Sequence, residues 1–229
     1  RPGQPKETTT LDHKDPFFSP ESHWFVPQQH VDEIFHEFEV KTKWFITIQR
    51  IVGVTNERTI SCTVLPYTAV SDSAVELLTP KNAYDQSLLL ANLNTLVFDY
   101  VARLKVSATT INHYIFKQLP ALPPTNYQIN DYLFINSRVL ELIYCAYDIR
   151  AFAIDLGYEG PPFKWDKDRR DKIRSELDAY YARLYSLNRK QLRYILDPAD
   201  LTEKELEDIL DPWEELAYPF DPEGYAQRA

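Results

Sequence analysis

The segment from Asp85 to Pro124 constrains the chain more than any other. Leu89, Leu93, Leu96, Val97, Tyr100, Val101 and Leu104 recur at steps of four, three, one, three, one and three, which traces one face of a 3.6-residue helix. The period stops at Lys105. The KVSATTIN that follows is small and hydroxylated, and HYIFKQL alternates as a short strand does. PALPP then continues neither a helix nor a ladder, because proline has no N–H to donate. The pattern predicts one long buried helix that delivers a polar loop, a strand and a rigid exit.

Upstream, residues 44–70 read as two strands. WFITIQRIV is aromatic and β-branched, GVTNERT makes the turn, and ISCTVLPYTAV resumes the strand pattern. Asn56, Glu57, Arg58 and Thr59 fall at the tip. Arginine can fork onto the O6 and N7 of guanine, and asparagine onto the N6 and N7 of adenine, so Asn56, Arg58 and Thr59 are candidates for DNA contact. They also have a plainer use, in which Asn56 makes the turn and Arg58 pairs with Glu57 or a phosphate. Arg50 lies inside the strand pattern and serves either a phosphate or an internal ion pair. In the second loop, Lys105 can neutralise a phosphate, while Ser107, Thr109, Thr110 and Asn112 can donate to phosphate oxygens or read base edges. Lys117 and His113 are weaker candidates, since alternation with Tyr114 and Phe116 also places them on a wet strand face.

The remaining chain divides by composition. Residues 1–22 are polar and proline-rich, the signature of a linker or extended arm. Ile34, Phe35 and Phe38 predict a short helix. Residues 23–124 form the β-rich segment with its long helix, and residues 125–196 a helical segment. In the latter, Val139, Leu142, Ile143, Ala146 and Tyr147 make one stripe, and Ile173, Leu177, Tyr180, Tyr181 and Leu184 another. Asp166 is the expected N-cap of the second stripe, whose outer face carries Arg169, Arg170, Lys172 and Arg174 among acids. Thr202 and Glu205 have capping-box spacing at the head of an acidic helical tail, residues 197–229. The fold class is therefore α+β, a β-rich segment followed by a helical C-terminal half.

The net charge of −9 argues against a DNA binder until it is located. Residues 197–229 hold eleven acids and two bases, which accounts for all of it. Between Lys41 and Lys117 there are eight bases against five acids, a mild excess well short of an independent nucleic-acid binder's patch. Weak DNA binding by this chain alone is the expectation. No stretch is apolar for long enough to span a bilayer and no signal peptide is present, so a cytoplasmic protein is expected. Cys62 and Cys145 lack metal-ligand spacing and read as reduced core thiols. His23, His30, His36 and His113 fit no close ligand pattern, so no metal is expected. The chain has no methionine, which is expected of a piece of a longer protein.

Three blocks in order, RIVGVTNERTISCTVLPYTAV, LNTLVFDYVARLKVSATTINHYIFKQLPALPP and DLGYEGPPFKWDKDRRDKIRSELDAYYARLYSLNRKQLRYIL, carry a family resemblance across roughly residues 44–196. They resemble the C-terminal specificity region of adenine-directed DNA methyltransferases with a fused recognition domain. Such enzymes occur in type II restriction–modification and related phage-defence systems. The resemblance implies a target-recognition domain that holds double-stranded DNA, while a catalytic methyltransferase domain of the same chain flips and methylates an adenine. It also places the 105–112 loop among the DNA-facing loops. S-adenosylmethionine would belong to that other domain, and no cofactor is expected in this one.

The catalytic pieces are missing here. Gly3, Gly53, Gly157, Gly160 and Gly224 make no glycine-rich loop after a strand. Gly160-Pro161-Pro162-Phe163 imitates the adenine-holding motif but has glycine where the acceptor side chain must stand. This segment is therefore expected not to be an enzyme. Two alternatives remain. One is a protein–protein docking module of a defence complex. The other is a metal-dependent nuclease built on Glu39-Val40-Lys41 with Asp32 or Asp15.

Overall fold

The computed structural model describes residues 8–20, 25–53, 56–106, 109–197, 199 and 201–207. Its sheet is organised on β1 (Trp44–Gln49), which pairs antiparallel with β2 (Cys62–Pro66) on one side and β3 (Ala74–Leu77) on the other. Trp44 through Ile48 are all buried, which a strand manages only when both faces of its sheet are covered. Trp44, Ile46 and Ile48 enter the main core, while Phe45 joins a smaller cluster with Val31 and Phe35. The third strand comes from DSAVELL, which lacks the β-branched density that marked the other two.

Ten α-helices occur among the described residues: α1 (Thr10–Lys14), α2 (Gln28–Glu37), α3 (Ala83–Leu93), α4 (Leu96–Lys105), α5 (His113–Phe116), α6 (Ile129–Ile143), α7 (Arg150–Asp155), α8 (Lys167–Leu184), α9 (Arg189–Leu196) and α10 (Glu203–Glu207). Helix α2 supplies Val31 and Phe35 to one face of the sheet. The other face packs on residues from α3, α4, α6, α7 and α8, so the strands and the helical half share one core. The fold is mixed α+β with a small sheet. Residues 8–20, expected as an arm, carry α1 and lie on the helical half. Tyr147 donates its N–H to the Pro16 carbonyl at 2.9 Å, and Phe17 stacks on Tyr147.

Two expectations need correction. The long helix is two helices, broken at Asn94–Thr95. The Asn94 amide turns from the helix to β2, accepting from the Cys62 N–H and donating to the Cys62 carbonyl, both at 3.0 Å. Thr95 then caps α4 by accepting from Phe98 N–H. The break rotates the buried face: Leu88, Leu90, Phe98, Asp99 and Ala102 are inside, while Leu104 is exposed. HYIFKQL, in turn, is no strand. Its Phe116 N–H bonds the Asn112 carbonyl and its Lys117 N–H the His113 carbonyl, one helical turn, with Ile115 and Leu119 buried four residues apart.

Helix ends follow local chemistry. Asp166 caps α8 and the Thr202–Glu205 box opens α10, as the sequence predicted. Three helices close in the same Schellman pattern, with the residue after the cap left-handed: Glu39 (φ 54°), Gly157 (φ 77°) and Ser186 (φ 59°). In each case the next N–H reaches back to the helix, Val40 to Phe35, Tyr158 to Ala153 and Leu187 to Ala182, all at 2.9 Å.

Candidate nucleic-acid interface

The polar loop after α4 runs alongside the end of β1. Val52 donates its N–H to the Thr109 carbonyl and Ile111 to the Arg50 carbonyl, both at 2.9 Å, with Ile51 and Thr110 bridged between them. The two segments that sequence reading treated separately are thus edge to edge. Lys105, Thr109 and Lys117 are exposed, and Thr110 and Asn112 half-buried. Neither lysine has a carboxylate partner among the described residues. Arg50, Asn112 and Lys117 line one small pocket of about 180 Å³ whose floor is Ile48, Val75, Leu77, Ile111 and Phe116. Arg50 pairs with Asp72. Glu76 also lines this pocket, and burial raises its carboxyl above the usual glutamate value. Ser107 lies outside the described residues.

The 56–60 segment is not the protruding tip that the turn pattern predicted. It is fastened to α4 and α8. Asp99 is fully buried and accepts from Thr59 N–H at 2.6 Å, Ile60 N–H at 2.9 Å and Arg103 Nε at 2.8 Å. Arg103 also donates through Nη2 to the carbonyls of Glu57 at 2.6 Å and Asn56 at 3.4 Å. Glu57 pairs with Arg174. Arg58 has a side chain only 9% exposed and donates to Asp178 Oδ2 at 2.8 Å, while Asp178 Oδ1 accepts from the Leu96 N–H at 2.6 Å. Burial pushes the Asp178 carboxyl above the ordinary aspartate value, against the pull of the Arg58 guanidinium. The reason is chemical: a buried carboxylate must be surrounded by donors, and the segment supplies them.

Asn56 and Arg58 instead line a second, larger cleft of about 750 Å³. Val139, Leu142 and Ile143 of α6 form an apolar part of its wall, and Lys167, Arg170, Arg174 and Asp178 of α8 a charged one. Sequence reading had put Arg170 and Arg174 on a solvent face. Their i, i+4 spacing was visible, but the wall opposite was not. Arg170 Nη1 donates to the Leu142 carbonyl at 2.7 Å and lies 3.4 Å from Cys145 Sγ. Burial is the main cause raising the thiol pKa of Cys62 and of Cys145, away from the reactive range.

Other candidate chemistry has these placements. Among the described residues, no group of three His, Cys, Asp or Glu side chains is arranged to hold a metal ion. Asp32 of the nuclease alternative accepts from Tyr67 hydroxyl at 2.6 Å. Gly53 follows β1, Gly157 closes α7 and Gly160 enters a diproline. Phe163, after that diproline, stacks on Tyr158 and donates its N–H to the Tyr144 carbonyl at 2.8 Å. No described helix is long and apolar enough to cross a membrane. No family model matches the chain, and no curated protein or solved structure matches it.

Proposed function

We propose that the protein is a target-recognition module that holds double-stranded DNA in the cytoplasm. Methylation of adenine then falls to a separate S-adenosylmethionine-dependent domain of a restriction–modification or phage-defence enzyme. One observation carries the reading: the stretch that pairs with residues 50–52 at 109–111 bears Lys105, Thr109, Thr110, Asn112 and Lys117 at exposed or half-buried positions. Two exposed ammonium groups without a carboxylate partner, with hydroxyl and amide donors between them, suit a run of backbone phosphates. In this reading Arg58 and Thr59 fasten the 56–60 segment to α8 and α4.

The test is fluorescence anisotropy on a labelled duplex between about 50 and 200 mM salt. Wild-type affinity is expected to fall steeply across that range. The Lys105→Ala/Lys117→Ala double variant should bind more weakly at low salt, with a log–log slope shallower by about 2, near one unit for each lost phosphate contact. Equal affinity and slope in the two proteins would refute the assignment.

A specific observation also favours the docking-module reading. Ile51, Leu104 and Tyr114 are 53, 66 and 64% exposed on the same segments. A surface that works through them would bind its partner with little dependence on salt.

A further inference from the structure

The 750 Å³ cleft between the 56–60 segment, α6 and α8 lies apart from the lysines of the proposed duplex surface, none of which lines it. Arg58 stands in its wall with a side chain 91% buried, as its 9% exposure requires. A guanidinium carries five N–H donors in a fixed plane. Here Nη2 serves Asp178, but Nε and Nη1 have no hydrogen-bond partner among the described residues. Buried donors on a charged group are expensive to leave unpaired, so the position calls for an oxygen acceptor.

The charges around it have the matching sign. The carboxylates lining the cleft, Glu57, Asp171 and Asp178, are each held by a cation: Arg174, Lys167 and Arg58. Among the described residues Arg170 donates to a carbonyl and a sulfur, lies over the Trp165 ring and pairs with no carboxylate, which gives the cleft a surplus positive charge. Lys167, Arg170 and Arg174 fall on one face of α8 at i, i+3 and i+7. Arg58 belongs to the 56–60 segment and the other three to α8, so the cations that line the cleft come from two elements. A tetrahedral oxyanion answers donors from several directions at once, as a planar carboxylate does less well. The apolar Val139, Leu142 and Ile143 leave room for an organic body, and the volume is in the range of small-molecule sites.

We infer that this cleft is an oxyanion site that takes a phosphate group, with Arg58 and Arg170 as its principal donors.

The test is calorimetric titration of the whole chain with inorganic phosphate, against chloride at matched ionic strength. Arg58→Gln alone would strand Asp178, so the informative variant is Arg58→Gln/Asp178→Asn, which removes both charges of the pair, with Arg170→Gln as a second. Wild type is expected to bind phosphate, and each variant at least about tenfold more weakly, the loss of one charge-assisted hydrogen bond. No phosphate binding by the wild type, or affinities unchanged in both variants, overturns the inference whatever happens in the duplex assay. Competition then identifies the source of the phosphate, and each result upholds the site. Displacement by adenosine monophosphate but not by duplex marks a small phosphate ester. Displacement by duplex marks a backbone phosphate, and displacement by neither leaves inorganic phosphate as the ligand.

Discussion

Asp99→Ala removes the acceptor on which the 56–60 segment is fastened. The lost interactions are three: the N–H groups of Thr59 and Ile60, and Nε of Arg103, all within 2.9 Å of the carboxylate. Hydrogen bonds to a charged group are worth about 1.5–3 kcal/mol each, so simple addition sets a ceiling of about 4.5–9 kcal/mol. The true loss is smaller. Thr59 and Arg103 are half-buried and recover water, and Arg103 keeps its bonds to the carbonyls of Asn56 and Glu57. Ile60 has no such recourse, being wholly buried. Breaking one side of a buried ion pair costs about 3–5 kcal/mol, and that is the expected loss for Asp99→Ala. Such a loss is a large share of the roughly 5–15 kcal/mol that holds a typical domain together. At about 2–4 °C per kcal/mol for a chain of this size, the thermal midpoint should drop by about 6–20 °C. Thermal unfolding followed by circular dichroism measures the midpoint, and urea unfolding the free-energy loss. Asp99→Asn should fall between wild type and alanine, because its amide oxygen still accepts from the backbone but its N–H2 opposes Arg103. A loss below about 1 kcal/mol for the alanine variant would refute the idea that this carboxylate fastens the loop.

Glu39→Gly and Ser186→Gly should each stabilise the protein by about 0.5–1 kcal/mol, because the left-handed penalty they relieve exceeds the backbone freedom glycine adds; a lower urea midpoint in either would refute this. Gly157→Ala, at the equivalent position with φ 77°, should destabilise by about 1 kcal/mol in the same assay. Glu76 has a folded-state pKa raised by burial, so the fold binds its proton more tightly than the unfolded chain does. Its presence is least costly below the ordinary glutamate pKa, and stability falls as pH rises through the folded value. Glu76→Gln removes that loss, so the variant's advantage over wild type in urea midpoint should be larger at pH 7 than at pH 4; the same difference at both would refute it.

What the sequence disclosed was mostly local. Asp166 and the Thr202–Glu205 box act within one helical turn, and both were legible from spacing alone. The strands at Trp44–Gln49 and Cys62–Pro66 announced themselves by aromatic and β-branched density. The break at Asn94 did not, because the apolar spacing from Leu89 to Leu104 runs through it without a fault. The reason for the break is a strand 32 residues away. HYIFKQL fits both periods, since Ile115 and Leu119 satisfy alternation and i, i+4 equally well. Arg58 shows the same limit at the candidate site. It was read as a candidate for DNA contact or as the partner of Glu57 or a phosphate; the partner in the structure, Asp178, lies 120 residues on and no spacing rule could connect them. Asp99, in the middle of an apolar stripe, was the signal that went unused: an acid on a buried face needs donors, and they had to come from another segment.

The turn of Asn94 toward β2 also bears on how the sheet meets other chains. β2 is an edge strand, and the residues whose backbone faces outward alternate as Cys62, Val64 and Pro66. A foreign strand seeking to extend the sheet would find the Cys62 amide and carbonyl already engaged by a side chain, and no N–H at Pro66. Val64, between them, is itself buried, and a single rung does not hold a ladder. The kink that interrupts the helix therefore also closes this margin of the sheet to pairing with another strand.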